Sequence, residues 1–149
     1  MSRFRPVRQR TGVPRQDERP GTGVALLAGA VLGLATDAVA LTLGRQQARL
    51  LSAAHLAAAS GVYLGFAVAD GRRSALLVQT GELLGFTALA ALAVQRDSSG
   101  LLGAGWLAHP VWDALHYRGR GPTRVRSWFP AFCIGYDVAV AVPLLTGWV

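Results

Sequence analysis

Three ionisable residues lie at regular spacing in an apolar run: His109, Asp113 and His116 within Gly105-Trp106-Leu107-Ala108-His109-Pro110-Val111-Trp112-Asp113-Ala114-Leu115-His116. Residues at i, i+4 and i+7 of a helix fall on one face. Imidazole and carboxylate donors on one face suit a divalent metal such as zinc, iron or manganese. They equally suit a proton relay, or a hydrogen-bonded network that only ties helices together. Four other ionisable residues interrupt apolar stretches: Asp37, His55, Glu82 and Asp137. Cys133 and Asp137 are four apart, and Gln79 and Glu82 are three apart, so each pair shares a face of its own helix.

The elements that must position these groups are five apolar segments, approximately 24–43, 50–69, 75–94, 101–117 and 128–148. About 20 residues at 1.5 Å each span the ~30 Å hydrocarbon layer. The fourth segment is shorter and contains Pro110, which should kink it and turn His109 away from helical dihedrals. The expected fold class is all-α: an integral membrane bundle of about five transmembrane helices over residues 24–149. Residues 1–23, rich in Arg, Pro and Gly, read as a disordered tail.

Composition agrees. Of the 149 residues 52% are hydrophobic and only 15% charged, and mean hydropathy is +0.34. A soluble domain of this size could not cover so much apolar surface, whereas a bilayer solvates it. The net charge of +7 would ordinarily suggest nucleic acid. All fifteen basic residues are Arg, however, and every one lies outside the apolar runs, so nucleic acid is not an expected partner. Five crossings put twelve Arg on one side and three on the other. The positive-inside rule then places the N-terminus in the cytoplasm, the C-terminus outside, and the Arg-rich tail and loops against anionic lipid head groups. The first segment with Ala38-Val39-Ala40 resembles a secretion signal, but its apolar run exceeds the usual ~7–15 residues, so it is read as retained.

On this topology Glu82, Asp113 and Asp137 come to a common depth of roughly 16–20 Å, bracketed by His109 and His116. Asp37 and His55 lie higher, near the level of His109. Three bare carboxylates at one depth would repel, so protons or a divalent cation must neutralise them. The expected ligands are His109, Asp113, His116, Glu82 and Asp137. Asp113, Glu82 and Asp137 are the candidate general bases should a bound metal activate water. The Gly29/Gly33, Gly61/Gly65 and Gly81/Gly85 pairs suit close helix packing inside the bundle or in a homo-oligomer. Trp128 and Trp148 read as interface anchors, and Cys133, the lone cysteine, as a small apolar residue.

The run Gly105-Trp106-x2-His109-x2-Trp112-Asp113-x2-His116, followed by Pro130-x2-Cys133-x3-Asp137, resembles a signature of small uncharacterised bacterial multi-pass membrane proteins. That resemblance covers the last third of the chain and implies no activity. Tyr117 stands where a second histidine often follows in those proteins. The mix of histidines and acids is also similar to intramembrane metal-dependent lipid hydrolases of the ceramidase type. Those have about seven helices and a serine motif with no counterpart in this chain. The function expected is a membrane protein with a buried His/Asp/Glu site, metal-binding and hydrolase-like. The alternatives are a proton- or ion-coupled transporter component, or a non-catalytic scaffold.

Overall fold

A computed structural model describes residues 21–147; most of the Arg-rich tail, and Trp148, lie outside them. Five helices make up the described chain: α1 (Thr22–Ala40), α2 (Arg45–Asp70), α3 (Arg73–Gln95), α4 (Ser99–His116) and α5 (Phe129–Thr146). A 3-10 turn, Tyr117–Gly119, follows α4, and there are no strands among the described residues.

The helices end where sequence chemistry stops them. Gly71 and Gly147 close α2 and α5 in the left-handed conformation, at φ 71° and 76°, which glycine adopts without penalty. The Ser98 side chain caps α4 by accepting from the Leu101 backbone N–H at 3.1 Å. Pro130 sits in the first turn of α5, where its missing N–H costs nothing. Helix α2 starts at Arg45, so Arg45 and Arg49 belong to a helix rather than to a loop. Arg, Gln and Ala are good helix formers, so the helix outruns the apolar stretch that betrays it.

Pro110 lies inside α4, and the helix runs unbroken through His109 and Pro110 to His116. The expectation that Pro110 would drive His109 out of the helix is therefore corrected. Helix α4 packs against α5 and α3, and such packing lets a helix tolerate an internal proline.

Four helices (α1, α2, α3 and α5) are long and apolar enough to cross a membrane. Helix α4 falls short because its inward face carries His109, Asp113 and His116. Its outward face remains apolar, with Leu107, Val111 and Leu115 exposed. The same inside-out pattern holds elsewhere: Val24, Leu27, Val31, Val68, Leu77, Leu84 and Val142 are all exposed. So large an apolar exterior is stable against lipid and not against water.

Helices α2 to α5 pack in chain order, and only α1 departs from it. Helix α1 lies mainly along α5, α5 along α4, α4 along α3, and α3 along α2. Glycine decides the first contact. A methyl group added at Gly29 would collide with the Phe132 carbonyl, and one at Gly135 with the Leu26 carbonyl. The two backbones can approach only because no side chain intervenes. A Cβ on Gly61, Gly65, Gly81 or Gly85 meets nothing within 4 Å, so only the Gly29/Gly33 pair serves internal packing.

Helix α4 organises the interior. Leu102, Trp106, His109, Asp113 and His116 follow one another along a single face, each fully buried. The first two join an apolar core with Leu56, Ala93, Val140, Ala141 and Leu144. The last three make the other half of the interior polar. Two contacts fasten the ends of the bundle. Arg72 pairs with Asp70 at 2.6 Å and donates to the Pro122 carbonyl at 2.7 Å, joining the α2–α3 turn to the α4–α5 loop. Arg49 pairs with Asp97 at the opposite end, at 2.6 Å.

A candidate metal centre in the bundle interior

His109 is the hub. Its Nδ1 lies 2.8 Å from Asp137 Oδ2 on α5 and 3.6 Å from Asp113 Oδ2 one turn along α4. Its Nε2 points the other way, to Glu82 Oε1 of α3 at 3.4 Å. Helix spacing explains the α4 pair, since i and i+4 side chains stack on one face. The α5 and α3 partners arrive by tertiary packing. Ligand-capable atoms of His109, Asp113 and Asp137 lie within 4.8 Å of one another, all buried.

The hydrogen bonds around this group are incomplete. Asp113 Oδ2, His109 Nε2 and both Glu82 carboxylate oxygens are buried without a hydrogen-bond partner among the described residues. Glu82 and His109 are close enough to form an ion pair but are not aligned as a hydrogen bond. Buried polar atoms are usually satisfied, and each one left over calls for an explanation.

Tyr63 on α2 was not foreseen as part of the site. Its hydroxyl donates to Asp113 Oδ1 at 2.5 Å, leaving Oδ2 to face His109. Its ring also meets the His109 ring edge-on, with centroids 6.1 Å apart, and the Phe86 ring does the same at 5.0 Å. A fully buried Tyr in an apolar helix has one weak sequence signal: its hydroxyl needs a partner. Cys133 is free and half-buried, one turn before Asp137 on α5.

His116 shares the α4 face but serves a different network. Its Nδ1 faces the Trp112 carbonyl at 3.0 Å, and its Nε2 faces Gln79 Nε2 at 2.8 Å. Donation to a carbonyl puts the hydrogen on Nδ1, so Nε2 accepts from the Gln79 amide. Gln79 also donates to Thr123 Oγ1 at 2.9 Å and accepts from Trp112 Nε1 at 3.2 Å. Both imidazole nitrogens are thus engaged, and His116 stands outside the His109–Asp113–Asp137 group. Thr123 is fully buried although it lies in a loop. The loop folds back so tightly that a methyl group on Gly121 would strike the His116 ring.

His55 belongs to a third polar group. Tyr136 donates to Thr36 Oγ1 at 3.2 Å and lies 3.4 Å from His55 Nδ1. Asp37 is buried on the α1 face with Oδ2 unpartnered. The ionisable residues of the apolar segments therefore do not form one site, and the tightest group holds His109, Asp113 and Asp137 with Glu82 beside it.

Neither the curated proteins nor the solved structures contain a match. A family of unknown function matches residues 24–148, which include every residue of the three polar groups, and the chain accordingly belongs to that family, DUF6010.

Proposed function

We propose that this protein is an intramembrane metal-binding protein, with a divalent cation held by His109, Asp113 and Asp137. The observation that carries the reading is convergence: one imidazole and two carboxylates meet in a fully buried space, and Asp113 Oδ2 has no other partner. Charge balance supports it. Asp113, Asp137 and Glu82 with a neutral His109 would carry three negative charges away from water, a cost of several kcal/mol per ion. A divalent cation removes two of those charges and supplies a partner for the unsatisfied oxygen. One nitrogen and two carboxylate oxygens suit zinc, iron or manganese.

Three protein ligands leave one coordination position for water or a substrate, as in catalytic rather than structural sites. The chemistry such an ion supplies is activation of bound water or polarisation of a carbonyl or phosphoryl oxygen. The protein contributes a buried setting in which the Tyr63 and Phe86 rings pack edge-on to the His109 ring. A substrate would arrive laterally from the bilayer, and this favours a lipid. The Arg-rich end, with Arg72, Arg73, Arg120, Arg124 and Arg126, faces the cytoplasm and its anionic head groups on this reading.

Elemental analysis of the purified full-length chain in detergent tests the proposal. The expected result is one transition metal per chain in the wild type and none in His109→Ala or Asp137→Asn. A wild-type protein that carries no metal, and takes up none from added zinc, iron or manganese, overturns it.

A further inference from the structure

We infer that Glu82 is a positioning residue rather than a ligand: it accepts the hydrogen on the far nitrogen of His109 and so fixes the imidazole for the ion on the near one. This inference rests on the metal-binding reading. The argument begins with the two edges of the ring. Two carboxylates, Asp137 Oδ2 at 2.8 Å and Asp113 Oδ2 at 3.6 Å, approach Nδ1. Among the described residues, Glu82 alone carries a carboxylate near Nε2, at 3.4 Å. The lone-pair directions of the two imidazole nitrogens diverge, so one ion cannot bind Nδ1 and also a carboxylate seated against Nε2. Donor count therefore assigns the ion to Nδ1.

With Nδ1 on the metal, a neutral imidazole keeps its hydrogen on Nε2. That nitrogen is fully buried and unpartnered, as are both Glu82 oxygens. Two unsatisfied groups facing each other at 3.4 Å become one charge-assisted hydrogen bond after a small side-chain adjustment. A metal-bound histidine nearly always donates its other N–H in this way, which fixes its tautomer and raises its basicity. Tyr63 does the equivalent for Asp113 by holding Oδ1 and leaving Oδ2 free. Each α4 ligand is thus oriented by an outer partner from another helix, Glu82 on α3 and Tyr63 on α2.

The test uses the full-length chain in detergent, titrated with Co2+ and Zn2+. In Glu82→Gln the ligand set is unchanged, so the Co2+ absorption bands keep their position and intensity and one ion still binds at saturation. The dissociation constant rises about 10- to 100-fold, because the glutamine oxygen still accepts from Nε2 but no longer lends that bond its charge. Either loss of stoichiometric binding with altered bands, which would make Glu82 a ligand, or an unchanged affinity overturns the inference. A second measurement needs no variant. Nitrogen-15 spectra of the zinc-loaded wild type should show His109 with the metal on Nδ1 and the hydrogen on Nε2; the reverse assignment sinks the idea. Failure of the metal-binding reading itself looks different, because then the wild type binds neither ion.

Discussion

At the scale of single residues, burial and hydrogen bonding separate groups that sequence spacing makes equivalent. His109 and His116 lie seven apart on one helical face, both fully buried. His109 keeps an unsatisfied nitrogen, while His116 uses both of its own. His116→Ala should therefore leave metal stoichiometry intact while lowering stability. It strands the Gln79 amide, and an unsatisfied buried donor costs about 1–3 kcal/mol. Thermal melting in detergent, run beside elemental analysis, would check both parts. Tyr63→Phe removes the donor to Asp113 Oδ1 and should cost about 1 kcal/mol, given the modest worth of hydrogen bonds within membranes. It should also weaken Zn2+ binding, because Asp113 is then free to rotate; a Zn2+ titration reads that loss.

At the scale of elements, the bundle depends on a few places where two backbones touch. Gly135 and Gly29 face backbone carbonyls of the opposing helix, and a carbonyl cannot swing aside as a side chain can. Gly135→Ala should destabilise the α1–α5 contact by roughly 1–3 kcal/mol, the ordinary cost of overpacking. Gly85→Ala meets nothing within 4 Å, and alanine is the better helix former by up to about 1 kcal/mol. That substitution should be neutral or stabilising. Melting midpoints of the two variants in one detergent make the comparison, and equal losses in both would contradict this account of the packing. Helix α4 adds a point about reading helices. Its apolar content is too low for a membrane span taken alone. It is helical and packed because its polar face meets polar partners from three other helices.

For the whole molecule, the two ends differ in charge and in how they are fastened. The α2–α3 turn and the α4–α5 loop meet through Arg72, Asp70 and the Arg124 backbone N–H. Hydrogen bonding to Arg72 holds the Asp70 carboxyl below its ordinary range. Arg72 is half exposed while the Asp70 side chain is nearly covered, and the pair holds the α4–α5 loop beside the His116 network. If all five helices cross the bilayer, single cysteines replacing Arg73 and Arg120 should react with an impermeant thiol reagent from one side. Cysteines replacing Gln46 and Asp97 should react from the other. Labelling of Arg73→Cys and Arg120→Cys from opposite sides would refute five crossings.

The sequence by itself determined that the chain is a bundle of five mostly apolar helices. Apolar runs, glycine stops and a proline start are local properties of the chain. It also marked His109, Asp113 and Asp137, because ionisable groups in an apolar run are conspicuous wherever they point. Only the tertiary structure decided which of those groups meet. Side-chain partners across helices depend on how α3, α4 and α5 are rotated about their axes, and spacing within one helix carries no record of that. Hence Tyr63 and Thr123 passed unnoticed, the latter because a buried loop residue looks like any other loop residue. Hence also His116 turned to Gln79, and α1 chose α5 over its neighbour in sequence, where facing glycines let two backbones come closest.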